Sequence, residues 1–396
     1  MPLVIKGSSS GQVTVDVPAA AGTNTVTIPA ATGNLPLSDL DHVTNRQNAK
    51  PLIINGGMTV AQRGTSFTGQ TGSSYLLDRI YMRLGGVGTW TITQDTDVPS
   101  GYGFTNSLKM DCTTANSSLD ATDFIFINMR FEKQDMRIFN KGTSDAKKIT
   151  VAAWVKSPTT GTHVVGLYDA NSSTNRYCMQ TYTISSANTW TKAIVTFPAD
   201  TGGDEMGTDN THGMNIQFWF AAGSNYSSGS AATAWENYTQ ANQAVGQVNC
   251  SSSTDNNILI TGIQMEVGEY DSTTLPPFQH ESFADSLLRC QRYCQVYGAY
   301  ANTMLGFGHT HDQTNVYRWG FPLGVEMRAA PTASLSGTNG FWNGSIGANA
   351  VLGTSYNKTD LVDIDCTCDT GGLVNDQGRL TKLYMNTGTL TLDSEL

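Results

Sequence analysis

Met214–Phe220 reads MNIQFWF, and its alternation decides the fold: Ile216, Phe218 and Phe220 fall on one side of an extended chain, Asn215, Gln217 and Trp219 on the other. A helical period of 3.6 residues would scatter both sets around the axis. A strand with one apolar face and one mixed face belongs in a sheet that packs on a second sheet. The same pattern lies on either side. In Lys147–Lys156, KKITVAAWVK, the residues Ile149, Val151, Ala153 and Val155 alternate with Thr150, Ala152 and Trp154, and in Thr189–Phe197, TWTKAIVTF, Ala193, Val195 and Phe197 share a face. From about residue 75 to 267 strand follows strand between turns, as in a sandwich. In Asn257–Gly268, NILITGIQMEVG, the alternation Ile258, Ile260 changes phase to Ile263, Met265, Val267 at Gly262, which predicts a β-bulge there.

The flanks read differently. Leu275-Pro276-Pro277 ends the sandwich, and Ser282–Tyr300, SFADSLLRCQRYCQVYGAY, predicts a helix capped by Ser282 with Asp285 three residues on. Phe283, Leu287, Cys290, Cys294 and Tyr297 would form its buried stripe, with Arg289, Gln291, Arg292 and Gln295 outward. Another β region follows, its clearest strands in NVYRWGFPLGVEM (315–327) and GRLTKLYMNTGTLTL (378–392). At the start, Val13–Gly22 and Thr25–Gly33 repeat a phrase of β-branched residues ending in Pro, small residues and Gly, and suggest a hairpin that is marginal without further partners. Residues 34–50 are polar and suit a short helix or a linker. The expected organisation is all-β: an N-terminal β segment and linker over 1–50, a jelly-roll β-sandwich over 51–278, a connecting helix over 279–300 and a C-terminal sandwich-like β domain over 301–396.

Composition narrows the function. Only 14% of the 396 residues are charged, with a net charge of −10, against roughly a quarter charged in an average soluble protein. No window concentrates Lys and Arg among aromatics, so the footprint of a nucleic-acid binder is missing. MPLVIKGSSSGQVTVDV does not read as a signal peptide and no long apolar run spans a membrane, so synthesis in a cytoplasm without membrane insertion is expected. The seven cysteines are scattered and read as reduced; Cys290 with Cys294, and Cys366 with Cys368, read as small apolar side chains before metal ligands.

Nucleotide-binding, metalloprotease, nucleophile-elbow and kinase motifs are absent from the sequence. A glycan-cleaving carboxylate pair needs no motif; GGDEMGTD (Gly202–Asp209) is the densest acidic stretch, and a solvated loop is the preferred reading. In HTHD, His309 and His311 would share one strand face, and in a three-fold assembly would offer six imidazoles to a metal ion on the axis; a polar loop is the plainer reading, and no other cofactor is expected. Trp154 and Trp219 lie on the less apolar strand faces. Trp235 and Tyr238, in a polar loop, and Phe341 and Trp342, between glycines, are the candidate platforms for stacking on sugar rings.

Several stretches in chain order carry a resemblance: NGGMTVAQRGTSFTG (55–69), YLLDRIYM (75–82), ITGIQMEVG (260–268), PPFQHESFADSLLRCQRYCQVYG (276–298), FPLGVEMRAAPT (321–332) and LDSEL (392–396). Together they resemble tail-fibre and related virion structural proteins of tailed bacteriophages. The resemblance implies a non-enzymatic homotrimer, located in the virion, whose N-terminal segment attaches to other virion proteins and whose β domains bind host surface polysaccharide or lipopolysaccharide. It also implies that NGGMTVAQRG opens a jelly roll similar to carbohydrate-binding modules, with Gln62 and Arg63 pinning the incoming chain to it. A head fibre or capsid decoration protein, a glycan-depolymerising tailspike enzyme and a secreted carbohydrate-binding protein are the alternatives.

Overall fold

The computed structural model describes residues 3–6, 12–15 and 50–396, apart from 174, 299–302, 311–315, 338, 343–345, 356–357, 369–379 and 386–387. The chain divides into two units, Met1–Gln47 and Asn48–Leu396. In the first, β1 (Leu3–Lys6) pairs antiparallel with β2 (Gln12–Val15), Leu3 opposite Val15. QVTV thus finds its partner in the preceding LVIK, and the expected partner, Thr25–Gly33, lies outside the described residues.

The second unit begins with β3 (Ser66–Gln70), β4 (Ser74–Tyr75), β5 (Tyr81–Gly85), β6 (Thr89–Asp95), β7 (Ser107–Thr114) and β8 (Phe124–Glu132). There follow β9 (Ile149–Lys156), β10 (Gly161–Asp169), β11 (Arg176–Ile184), β12 (Thr191–Phe197), β13 (His212–Ala222), β14 (Glu236–Asn237) and β15 (Asn257–Val267). They form two antiparallel sheets, one ordered β14-β11-β10-β13-β8-β5-β4 and the other β12-β9-β15-β7-β6-β3. Between them lies the main core, where Ile216, Phe218 and Phe220 of β13 meet Ile149, Val151, Ala153 and Val155 of β9 and Val195 and Phe197 of β12. The predicted inward faces line this core, and the opposite face of β13 is buried as well. The bulge is also where the sequence puts it: the β15–β9 register shifts between Thr261 and Gln264, and Gly262 takes φ +62, with Phe104 packed where a Cβ would stand.

The helix is shorter than expected. It spans Phe283–Gln291 and Ser282 caps it, its Oγ accepting from Asp285 N at 3.1 Å. The stretch expected to be its second half is instead β16 (Cys294–Tyr297), because the backbone of Cys294–Tyr297 pairs with residues a hundred positions away. Gln295, expected outward, is buried, whereas Phe283, expected inward, is 60% exposed. Beyond come β17 (Thr303–Thr310), β18 (Val316–Pro322), β19 (Thr332–Ser336), β20 (Asn339–Trp342), β21 (Ile346–Ser355), β22 (Leu361–Cys368), β23 (Leu380–Met385) and β24 (Thr389–Asp393). Six of these close a barrel in the order β17-β18-β22-β21-β20-β23, while β16-β24-β19 form a three-stranded sheet. A smaller core of Trp319, Met327, Ala333, Val362, Leu390 and Leu392 holds this region. The five described cysteines outside β22 are free and buried. Among the described residues no helix is long and apolar enough to cross a membrane.

The stretch NGGMTVAQRG is the seam of this unit. Asn55, at φ 59, donates from Nδ2 to the carbonyls of Val60 and Asp78 and accepts from Val60 N, each at 2.9 Å. Gly56 passes so close to β15 that a Cβ would stand 2.2 Å from the Ile263 carbonyl oxygen. Gln62 donates to the Asp78 carboxylate and the Cys294 carbonyl, and Arg63 pairs with Asp393 at 2.9 Å and Glu395 at 3.5 Å. Arg63 therefore holds the far end of the chain, where the sequence suggested the incoming end. Arg79 joins it: its guanidinium lies 3.4 Å from the Tyr293 ring centroid and pairs with the same Glu395. Beside it the buried Glu132 accepts from Arg292 Nε at 2.8 Å, Arg292 Nη2 at 2.9 Å and the Tyr293 hydroxyl at 2.7 Å.

Candidate binding cleft

Because one face of the seven-stranded sheet is spent on the core, every second residue of its strands points the other way. Register lines those residues up in rows. Arg83 on β5 faces Phe126 on β8, which faces Trp219 on β13. One step along, Tyr81, Asn128, Gln217, Gly166 and Met179 run across five strands, and then Arg130, Asn215, Tyr168 and Tyr177 across four. Gly166 leaves room in this layer for Met179, whose Sδ lies 1.9 Å from where a Cβ would stand.

A second apolar cluster forms on this outer face. Trp219 is fully buried and stacks on Phe126 with ring centroids 4.4 Å apart and an interplanar angle of 28°. The connection after β13 folds over one side of it. That connection starts at Gly223, where a Cβ would lie 2.0 Å from the Asp120 carbonyl oxygen, and turns through α2 (Ser224–Ser227), which follows the short α1 (Lys133–Met136) in chain order. Tyr226 then sits edge-on to Phe124 at 5.4 Å, and Tyr238 edge-on to Tyr168 at 6.0 Å and to Tyr177 at 5.7 Å. Gln243 Nε2 donates to the Tyr238 hydroxyl at 3.0 Å, and the buried Tyr177 hydroxyl donates to Glu236 Oε1 at 2.8 Å.

Between sheet and loop lies a cleft of about 450 Å³, lined by aromatic rings, amides, two arginines and a histidine, with no Asp or Glu. Asn128, Asn215 and Gln217 are 3%, 4% and 5% exposed, and only Gln217 has its amide oxygen engaged, by Trp219 Nε1 at 3.2 Å. Asn128 Oδ1, Asn215 Oδ1, Arg130 Nε and His212 Nε2 are buried and bonded to no other described residue. Buried polar atoms in native structures nearly always have partners; four without one gather around this cleft, and others lie elsewhere, at Arg79, Thr159 and Tyr182. Burial, and then the Arg130 charge beside it, pushes the His212 pKa down to about 4, so this ring is neutral at pH 7. Arg130 is stacked 4.6 Å from the Tyr81 ring centroid and donates to the Leu396 carbonyl. Arg83 lies 5.8 and 5.9 Å from the ring centroids of Phe124 and Phe126.

The candidates read from sequence separate here. Tyr238 lines the cleft and is 43% exposed. Trp235, one turn of loop away, does not line it: its ring packs against the main core and Nε1 donates to the Pro198 carbonyl at 2.8 Å. Phe341 and Trp342 belong to β20 of the barrel, opposite Leu383 and Lys382 of β23. His309 lies on β17 opposite Arg318 of β18, and His311 falls outside the described residues. Among the described residues, no three His, Cys, Asp or Glu side chains gather as a metal site. Asp204, Glu205 and Asp209 of the acidic stretch are exposed. Asn128, Arg83, Tyr168 and Tyr226 were not singled out from sequence; the signal for them was polar and aromatic residues alternating with core residues on strands whose register was unknown.

No family model matches the chain, and no curated protein matches it. Among solved structures, the enzymatically active domain of tailspike protein 4 of bacteriophage CBA120 is similar over 55% of this chain and 21% of its own, at 11% identity and a TM-score of 0.30. The family 11 carbohydrate-binding module of the cellulosomal cellulase Lic26A-Cel5E of Clostridium thermocellum aligns with 51% of this chain and 99% of its own, at 12% identity and a TM-score of 0.24. The N-terminal CBM22-1-CBM22-2 tandem domain of Paenibacillus barcinonensis Xyn10C aligns with 87% and 97%, at 7% identity and a TM-score of 0.27. Likeness of this degree carries no functional weight; the cleft does.

Proposed function

We propose that the sandwich binds a saccharide in this cleft. The observation that carries the reading is the pairing of orphaned buried polar atoms with ring faces: Asn128, Asn215, His212 and Arg130 beside Phe124, Tyr168, Tyr226 and Tyr238. A sugar ring presents both hydroxyls, which would satisfy the orphans, and an apolar C–H face, which would cover an aromatic ring. A purely apolar ligand would leave the amides unsatisfied at about 1–3 kcal/mol each.

The role around that site is a non-enzymatic fibre or adhesin of a phage particle, trimeric, attached by its N-terminal segment and directed at host surface glycan. It is supported by the sequence resemblance. Binding of the full chain to an array of bacterial surface oligosaccharides, followed by calorimetry on those bound, tests the site. Tyr238→Ala and Asn215→Ala each weaken binding about tenfold or more, while Trp235→Phe leaves it unchanged. Equal affinity in all three variants would move the site elsewhere. Light scattering of the full chain beside one lacking residues 1–50 tests the assembly: a trimer that becomes a monomer supports the fibre role, and a monomer in both refutes it.

A further inference from the structure

We infer that the saccharide taken by this cleft is acidic, and that its carboxylate seats against Arg83. The inference rests on the saccharide reading of the same cleft and adds the charge of the ligand. Arg83 is half-buried on β5, in the row with Phe126 and Trp219. It makes no hydrogen bond or ion pair with any described residue, in contrast to three other buried or half-buried cations of the sandwich. Lys141 meets Asp169 at 2.6 Å and Asp200 at 3.2 Å, Arg176 meets Asp200 at 2.8 Å, and Arg63 meets Asp393 at 2.9 Å. The rings of Phe124 and Phe126 flank its guanidinium and leave the planar fork of donors unspent.

The rest of the lining gives that cation no countercharge. No Asp or Glu lines the cleft, His212 is neutral, and the second guanidinium, Arg130, adds positive charge. A neutral sugar laid over Arg83 would strip water from a charge and return no opposite charge. A carboxylate matches the fork with two parallel N–H···O bonds, and the apolar rings beside it lower the local dielectric that screens them. Four residues along β8 separate the row of Arg83 from the row of Arg130, about 13 Å at the strand rise. The acidic residue of the glycan therefore occupies the Phe124–Phe126 end, and its neighbours run toward the amide rows and Tyr168.

The test uses the full chain and three probe sets on one array: uronate-bearing oligosaccharides, the same oligosaccharides with carboxyls reduced to primary alcohols, and glycerol-phosphate-bearing oligosaccharides. Affinities of the bound probes are then measured by calorimetry at low and high salt. The expected result is binding of a uronate probe that falls about 10- to 100-fold on carboxyl reduction and weakens with salt. Arg83→Gln should remove that difference while keeping the weaker affinity for the reduced probe, and Arg83→Lys, which keeps the charge and loses the fork, should fall between. Retained affinity for the reduced probe shows that the variant is folded. Equal binding of uronate and reduced probes by the wild type overturns the inference and leaves the saccharide reading standing. Preference for the phosphate-bearing probe overturns the carboxylate assignment. Absence of binding to every probe overturns both readings.

Discussion

Replacing Asn55 by Ala tests how much of the second unit hangs on one side chain at its seam. The residue is 2% exposed and sits at φ 59, in the left-handed region that Asn tolerates better than Ala. Its amide makes three hydrogen bonds of 2.9 Å, two to the carbonyls of Val60 and Asp78 and one from Val60 N. At about 1 kcal/mol net for each bond and about 1 kcal/mol for forcing Ala into this backbone conformation, the loss is about 4 kcal/mol. Asn55→Gly loses the same bonds without the backbone strain, so it should cost about 3 kcal/mol. Urea denaturation followed by tryptophan fluorescence, with unchanged m-value, measures both. The reasoning fails if both variants lie within 1 kcal/mol of wild type, or if Gly is worse than Ala.

Two further outcomes concern the cleft. Because the folded His212 pKa is near 4 against an ordinary 6.5, the unfolded chain protonates first as pH falls. This residue's contribution is present above pH 6.5 and lost between 6.5 and about 4, by roughly 3 kcal/mol; an imidazole resonance that titrates near 6.5 in the folded protein would rule this out. Gly223→Ala places a Cβ 2.0 Å from the Asp120 carbonyl oxygen, so the loop must shift, costing about 1–3 kcal/mol and moving Tyr226 off Phe124. Unchanged melting temperature and unchanged glycan affinity together would show that the loop does not depend on this close approach.

Local pattern made the strands legible. Ile216, Phe218 and Phe220 alternate in the sequence and face the core, the phase change at Gly262 marks the bulge, and Ser282 before an apolar stretch marks the cap that accepts from Asp285 N. What failed was set by distant partners. Cys294–Tyr297 carries a helical stripe but pairs with Thr389–Asp393, and no local preference reveals that. The cleft is half visible in the sequence: Trp219 stands out as a ring on a mixed strand face and Tyr238 as one in a polar loop, but Asn128, Gln217 and Gly166 become one row only when β8, β13 and β10 are set in register. Trp235 sits in a polar loop, and its indole N–H is tied to the Pro198 carbonyl while its ring packs on the main core.

The three-way meeting of Arg63, Arg79 and Glu395 also bears on how the chain is made. Glu395 follows its partners by 332 and 316 residues, so a ribosome exposes both arginines long before their countercharge exists. Until then the two guanidiniums lack the carboxylates they pair with in the folded unit, a costly state for buried charges. Asp393 and Glu395 supply those partners, and closing so long a loop is a slow kind of contact to form. The ion cluster thus ties Arg63 and Arg79 to residues more than three hundred positions later.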